Sequence, residues 1–142
     1  MKIVIINGPN LNLLGVREKS IYGQISFDEY FLTLKSQFSN HELQYFQTNV
    51  EGEIINLLQK FGFDGCKIIL NAGGYTHTSV AIKDAISAIE SEVIEVHISN
   101  IYAREEFRQK SLIAPACKAS VCGFGLQSYE LAVRGLIAGS DS

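Results

Sequence analysis

Ile3-Val4-Ile5-Ile6 opens the chain as a β-branched run with no polar residue on either face. A strand apolar on both sides has to be covered on both sides, which is the situation of a parallel sheet held between helices. Comparable segments return at Leu43-Gln44-Tyr45-Phe46-Gln47, Cys66-Lys67-Ile68-Ile69-Leu70, Val93-Ile94-Glu95-Val96-His97 and Ala119-Ser120-Val121-Cys122. Helical patterns separate most of them. Ser26-Phe27-Asp28-Glu29 has the spacing of a capping box and opens a helix to about Phe38. Glu51 to Phe61 places Ile54, Ile55, Leu57 and Leu58 on its apolar side and closes at Gly62. Thr78 to Ile89 and Leu126 to Ala138 supply two more helices, with Thr76 or Thr78 as the expected N-cap of the first. The alternation predicts an α/β fold, a flavodoxin-like three-layer sandwich whose five-stranded parallel sheet runs in the order 2-1-3-4-5. One domain is expected to span residues 1–142.

Composition narrows the function classes. Twelve Lys and Arg against fifteen Asp and Glu give a net charge of −3, with no basic cluster of the kind a nucleic-acid groove needs. No window approaches the roughly 18 to 20 apolar residues of a membrane span. The short apolar run at the N-terminus lacks a small-residue cleavage site and reads as a strand instead of a signal peptide. Cys66, Cys117 and Cys122 cannot all pair within one chain and form no C-x-x-C, so a reducing, cytoplasmic setting is expected.

Sheets of this topology bind ligands beyond the carboxyl ends of their strands. Strand 1 is followed by Asn7-Gly8-Pro9-Asn10, a tight turn able to aim an amide across the strand ends, or simply a turn. It is neither a Walker loop nor G-x-G-x-x-G. Arg17 and Tyr22 follow in a long loop from Gly8 to Ile25. A guanidinium beside a phenol stabilises the phenolate and makes a usable base; on spacing alone, a surface arginine and a packed tyrosine explain the pair as well. Strand 3 is followed by Asn71-Ala72-Gly73-Gly74-Tyr75-Thr76-His77, glycines that permit close approach followed by hydroxyls and an imidazole at a helix start.

Strand 4 carries the sharpest signal. Glu95 and His97 lie two apart on a strand and so share one face, where a carboxylate can orient an imidazole and favour its protonated form as a general acid. Ser99 and Asn100 follow at the strand end, and Arg104 and Arg108 come four apart, on one face if the segment is a helical turn. Either these arginines are solvated partners of Glu105 and Glu106, or they hold a carboxylate-bearing substrate. His41, His77 and His97 sit on separate elements without metal-ligand spacing, and no G-x-S-x-G elbow occurs.

Together the segments Asn7 to Gly15, Arg17-Glu18 with Ile21-Tyr22-Gly23, Asn71 to Ser79, Glu95 to Asn100 and Ala103 to Arg108 resemble the type II 3-dehydroquinate dehydratases. The match keeps its order along essentially the whole chain, including Gly123-Phe124-Gly125 before the last helix. The resemblance implies a lyase acting by anti elimination of water from 3-dehydroquinate through an enolate, in the shikimate pathway of aromatic amino acid biosynthesis. It implies Tyr22 as the general base, Arg17 as its electrostatic partner, Asn10 as the holder of a water near the enolate oxygen, His97 as the acid and Glu95 as the residue steering it. Asn71, His77, Ile98 through its N–H, Ser99 and Arg108 match the substrate-binding set. Asp84 matches a position that reaches into a neighbouring subunit's site, so a dodecamer built from trimers is implied, with no metal and no cofactor.

The chain departs from the family pattern at Lys19, which implies a looser lid loop, at Val50, and at the pair Ala119-Ser120, which is expected to bear on subunit packing; none of these is expected to touch a residue assigned a chemical role. The competing reading is a flavodoxin-like module that binds phosphate or flavin without chemistry.

Overall fold

The computed structural model describes residues 1–16 and 25–140. Five strands, β1 (Lys2–Asn7), β2 (Glu42–Gln47), β3 (Lys67–Asn71), β4 (Val93–His97) and β5 (Ala119–Cys122), form one sheet in the order β2-β1-β3-β4-β5. Every neighbouring pair is parallel, as the expected topology requires. Four helices cover it: α1 (Phe27–Gln37), α2 (Glu51–Phe61), α3 (Val80–Ala88) and α4 (Gln127–Ser140).

The pleat divides the strand residues between two cores. Ile3, Ile5, Ile69, Ile94 and Val96 pack with Phe27, Tyr30 and Leu34 of α1 and Tyr129, Val133 and Leu136 of α4. Val4, Ile6, Ile68, Leu70 and Val93 pack on the other face with Ile54, Leu58 and Phe61 of α2 and Ile82 and Ile86 of α3. Ile3 through Ile6 are wholly inaccessible to solvent. Each contributes about 1.5–3 kcal/mol of burial, which explains why a run apolar on both faces so constrains the fold.

Local signals set some of the helix ends. Ser26 caps α1, its Oγ accepting the Glu29 N–H at 3.2 Å while its hydroxyl donates to the Glu29 carboxylate at 3.3 Å. Helix α3 begins later than expected, because a separate 3₁₀ turn occupies Gly73–His77 and Ser79, not Thr76 or Thr78, is the N-cap, accepting the Ile82 N–H at 2.9 Å. Gly62 ends α2 in an ordinary right-handed conformation. Its missing side chain serves packing instead: a Cβ there would lie 2.5 Å from Ile89 and from the Leu58 carbonyl oxygen. Among the described residues, no helix is long and apolar enough to cross a membrane.

Candidate active site

Strands β1, β3 and β4 end together at Asn7, Asn71 and His97, and the cleft opens just beyond them. Pro9, Asn10, Asn71, Gly73, Gly74, His77, His97, Ile98, Ser99, Arg104 and Arg108 all line it. Of the site residues expected from sequence, the structure thus brings together Asn10, Asn71, His77, His97, Ile98, Ser99 and Arg108, with Glu95 behind His97. Arg17 and Tyr22 lie outside the described residues.

The shared strand face puts the His97 Nε2 2.7 Å from Glu95 Oε2. Glu95 is only 1% exposed. Ser111 Oγ also donates to Oε2 at 2.5 Å, and Ser120 Oγ donates to Oε1 at 2.6 Å. Burial pushes the Glu95 carboxyl up, but the hydrogen bonds from His97, Ser111 and Ser120 outweigh it and hold the group below the usual carboxylate range. Glu95 is therefore an anion that accepts the Nε2 proton, leaving Nδ1 as the His97 nitrogen for the cleft. The expectation that Ser120 touches no residue assigned a chemical role is corrected here. Its register position opposite Glu95 brings its hydroxyl onto the carboxylate.

The first loop is fitted against β3 with no space to spare. The Gly8 N–H donates to the Asn71 carbonyl at 2.7 Å, and a Cβ on Gly8 would sit 2.7 Å from the Ala72 carbonyl oxygen. Gly73, at φ +60°, faces Pro9 from the other side. Asn10 takes the left-handed conformation at φ 71°, which asparagine tolerates better than most residues. Its N–H is held by Asn49 Oδ1 at 3.0 Å, and Gln47 Nε2 reaches the Gly8 carbonyl at 3.2 Å.

Asn71 is held at both ends of its amide. Its Nδ2 donates to the Tyr129 hydroxyl at 2.9 Å, and its Oδ1 accepts the Gly73 N–H at 3.1 Å. Tyr129, wholly buried, passes its own proton to Asn7 Oδ1 at 2.8 Å. Burial drives its phenol well above the ordinary tyrosine range, so it is a permanent hydrogen-bonding group and no base. His77 Nδ1 lies 2.8 Å from the Lys110 carbonyl, which only accepts, so Nδ1 carries the proton and Nε2 is left for a ligand. The His77 and His97 rings stack 6.4 Å apart at 24°, with Phe107 edge-on to His77.

Arg104 and Arg108 are not on one helix face. Short 3₁₀ turns at Ile101–Ala103 and Glu106–Arg108 flank an extended Arg104, yet both arginines line the cleft. Glu105 is the shared partner, 2.6 Å from Arg108 Nε and 4.0 Å from Arg104 Nε. The Arg108 hydrogen bond holds the Glu105 carboxyl below its usual range. Glu105 thus partners both arginines, as the first reading expects, and both residues line the cleft. Asp84 lies on the exposed side of α3 and does not line the cleft of its own chain.

Sequence reasoning missed Ser111, Ser120, Tyr129, Gln47, Asn49 and the Lys110 carbonyl. None left a signal in the sequence: Ser120 stands opposite Glu95 only through the β4–β5 register, which the folded chain sets. Among the described residues, no three His, Cys, Asp or Glu side chains converge as a metal site would require.

A flavodoxin-like sheet whose strand ends carry two histidines, two arginines and a fixed asparagine amide, with a buried carboxylate behind one imidazole, defines an α/β protein with a polar cleft at the carboxyl end of its sheet. Residues 1–137 match the family described as dehydroquinase class II, and the chain belongs to that family. It is 55% identical over 139 residues to a 3-dehydroquinate dehydratase of Campylobacter jejuni subsp. jejuni, covering 96% of this chain and 87% of that protein. A 3-dehydroquinate dehydratase of Caldicellulosiruptor bescii is 52% identical, with 95% of each chain covered. The crystal structure of a type II dehydroquinase from Butyrivibrio crossotus superposes with a TM-score of 0.90 at 45% identity, covering 96% of this chain and 97% of that one.

Proposed function

We propose that this chain dehydrates 3-dehydroquinate to 3-dehydroshikimate, a step of the shikimate pathway toward aromatic amino acids. The observation that carries the proposal is the buried Glu95 carboxylate hydrogen-bonded to His97 beside a cleft lined by Arg104 and Arg108, in a chain of this family.

The chemistry divides into two proton transfers. Tyr22, with Arg17 stabilising its phenolate, removes the proton from the carbon next to the ketone; these two roles rest on the resemblance of the loop segment. The electron pair moves onto the ketone oxygen as an enolate, and a water held by Asn10 hydrogen-bonds to it. Preorganised donors near that oxygen carry much of the barrier reduction. As the enolate collapses, the carbon–oxygen bond opposite breaks. The leaving hydroxide takes a proton from His97 and departs as water, with Glu95 compensating the imidazolium charge until that moment. Asn71, His77, Ser99, the Ile98 N–H and Arg108 bind the substrate's hydroxyls and carboxylate. Supporting these assignments, the lining of the cleft includes each of these residues. Asp84 enters from a neighbouring subunit in a dodecamer built from trimers, and the enzyme works in the cytoplasm. Its exposed place on α3 supports a contact outside its own chain.

The test is absorbance at the enone wavelength after adding 3-dehydroquinate to untreated, chelator-treated and heat-denatured protein. The expected result is a rise in the first two samples and none in the third. A flat trace from folded protein overturns the proposal and returns the fold to a binding role.

A further inference from the structure

Glu95 receives more donors than an orienting carboxylate needs. His97 and Ser111 share Oε2, and Ser120 occupies Oε1. Ser111 is itself fixed, because its Oγ accepts the Ala114 N–H at 3.0 Å, leaving its proton for Glu95. Ser120 reaches Glu95 from the neighbouring strand and is exposed on its outer side, while the carboxylate beneath is 1% exposed. The serine therefore closes the carboxylate off from solvent and supplies the donor that water would have supplied.

We propose that Ser120, together with Ser111, is a positioning residue for the reaction, acting through Glu95 on the proton that His97 delivers. The inference rests on the dehydratase reading with His97 as acid. Two hydroxyl donors fix the carboxylate plane so that Oε2 meets Nε2, and they draw electron density from it. A carboxylate so engaged is a weaker base toward the imidazolium and lets the proton go to the leaving hydroxyl. The charged group acting on Glu95 is His97 on its own strand. Cys117, in the turn before β5, also feels it; burial and the Glu95 charge push that thiol up to about 12, so it stays neutral. His77 stacks against the His97 ring at 6.4 Å, and Arg104 and Arg108 line the same cleft. At the other end of the strand Glu92 is taken by Lys118 at 2.8 Å and Lys67 at 3.3 Å.

The experiment compares Ser120→Val, Ser120→Ala and Ser120→Thr in the full chain, reading kcat and KM across pH with 3-dehydroquinate. Without the hydroxyl the carboxylate is the stronger base, so it protonates sooner in acid and holds the imidazolium longer in alkali. Ser120→Val is expected to displace the kcat–pH profile upward by about half a unit to one unit, with KM changed less than about twofold. Ser120→Ala, which admits a water, shifts less, and Ser120→Thr restores the parent profile. Should valine fail to fold, alanine at this exposed edge position carries the test. A profile that superimposes on the parent, or a threonine variant shifted as far as valine, overturns the inference. The two levels separate cleanly. If His97→Asn retains turnover, the acid assignment falls; if that variant is dead and the serine variants are silent, only the positioning role falls.

Discussion

Tyr129 and Asn71, 58 positions apart in sequence, meet in the interior through a 2.9 Å hydrogen bond that joins the last helix to the end of a central strand. The same hydroxyl serves Asn7 at 2.8 Å, so one oxygen aligns the ends of β1 and β3. Tyr129→Phe keeps the ring packing and leaves two buried amides without their partner. The expected loss is about 1–3 kcal/mol in urea unfolding, with a several-fold rise in KM through a loosened Asn71. A variant as stable as the parent with unchanged KM would show that the hydroxyl aligns nothing.

Glu95→Gln keeps the shape of the side chain and removes its charge. Turnover is expected to fall by about a hundredfold with little change in KM. Stability should also change its dependence on pH. The Glu95 carboxyl is depressed in the folded chain, so between its folded and unfolded values the unfolded state binds the extra proton, and stability rises with pH. That contribution is present above the unfolded value, about 4.3, and is lost as pH falls through the folded one. Urea unfolding at pH 7 and below pH 4 should show a smaller acid-induced loss in Glu95→Gln than in the parent. Equal losses would mean that the carboxylate is not held ionised by its neighbours.

His97→Asn and Tyr22→Phe address the two proton transfers separately. Each is expected to lower kcat by well over about a hundredfold while substrate still binds. Activity of either variant within about tenfold of the parent, a change of roughly 1.4 kcal/mol, would remove that residue from its role. A loss confined to KM would make His97 a binding residue only.

Gly8→Ala tests the seam between the first loop and β3. The added methyl meets the Ala72 carbonyl oxygen, which is backbone and cannot swing aside. A destabilisation of about 1–3 kcal/mol is expected, together with weaker substrate binding as Pro9 and Asn10 are displaced. Thermal unfolding and KM measured on one preparation decide it; two unchanged values would mean that the loop yields freely.

Much of this architecture was legible because its causes are local. A strand buried on both faces must be apolar throughout, as Ile3 to Ile6 are, and a capping serine is found three residues from its glutamate. Glu95 and His97 were legible because the pleat alone sets their common face. Consecutive hydroxyls defeated the same logic at α3: Thr76, Thr78 and Ser79 all suit a cap, and the choice falls to a 3₁₀ turn stabilised from afar by the Leu112 N–H on the Thr76 carbonyl. The arginine pair reached the cleft by a broken path that no helical spacing describes. Ser111, Ser120 and Tyr129 were illegible for a simpler reason. Their partners lie 16, 25 and 58 or more residues away, and only tertiary contact chooses them.

β5 is the outermost strand on its side of the sheet, and it contributes only four residues, Ala119–Cys122. Alternate side chains on such a strand face opposite ways, so a slip of a single residue would exchange Ser120 for Ala119 or Val121 beside Glu95. The reading frame of this short edge is thus a chemical variable as well as a structural one. Lengthening or shortening the connection from Ala114 to Lys118 by one residue would leave every cleft side chain in the sequence and still take the Ser120 hydroxyl away from Glu95.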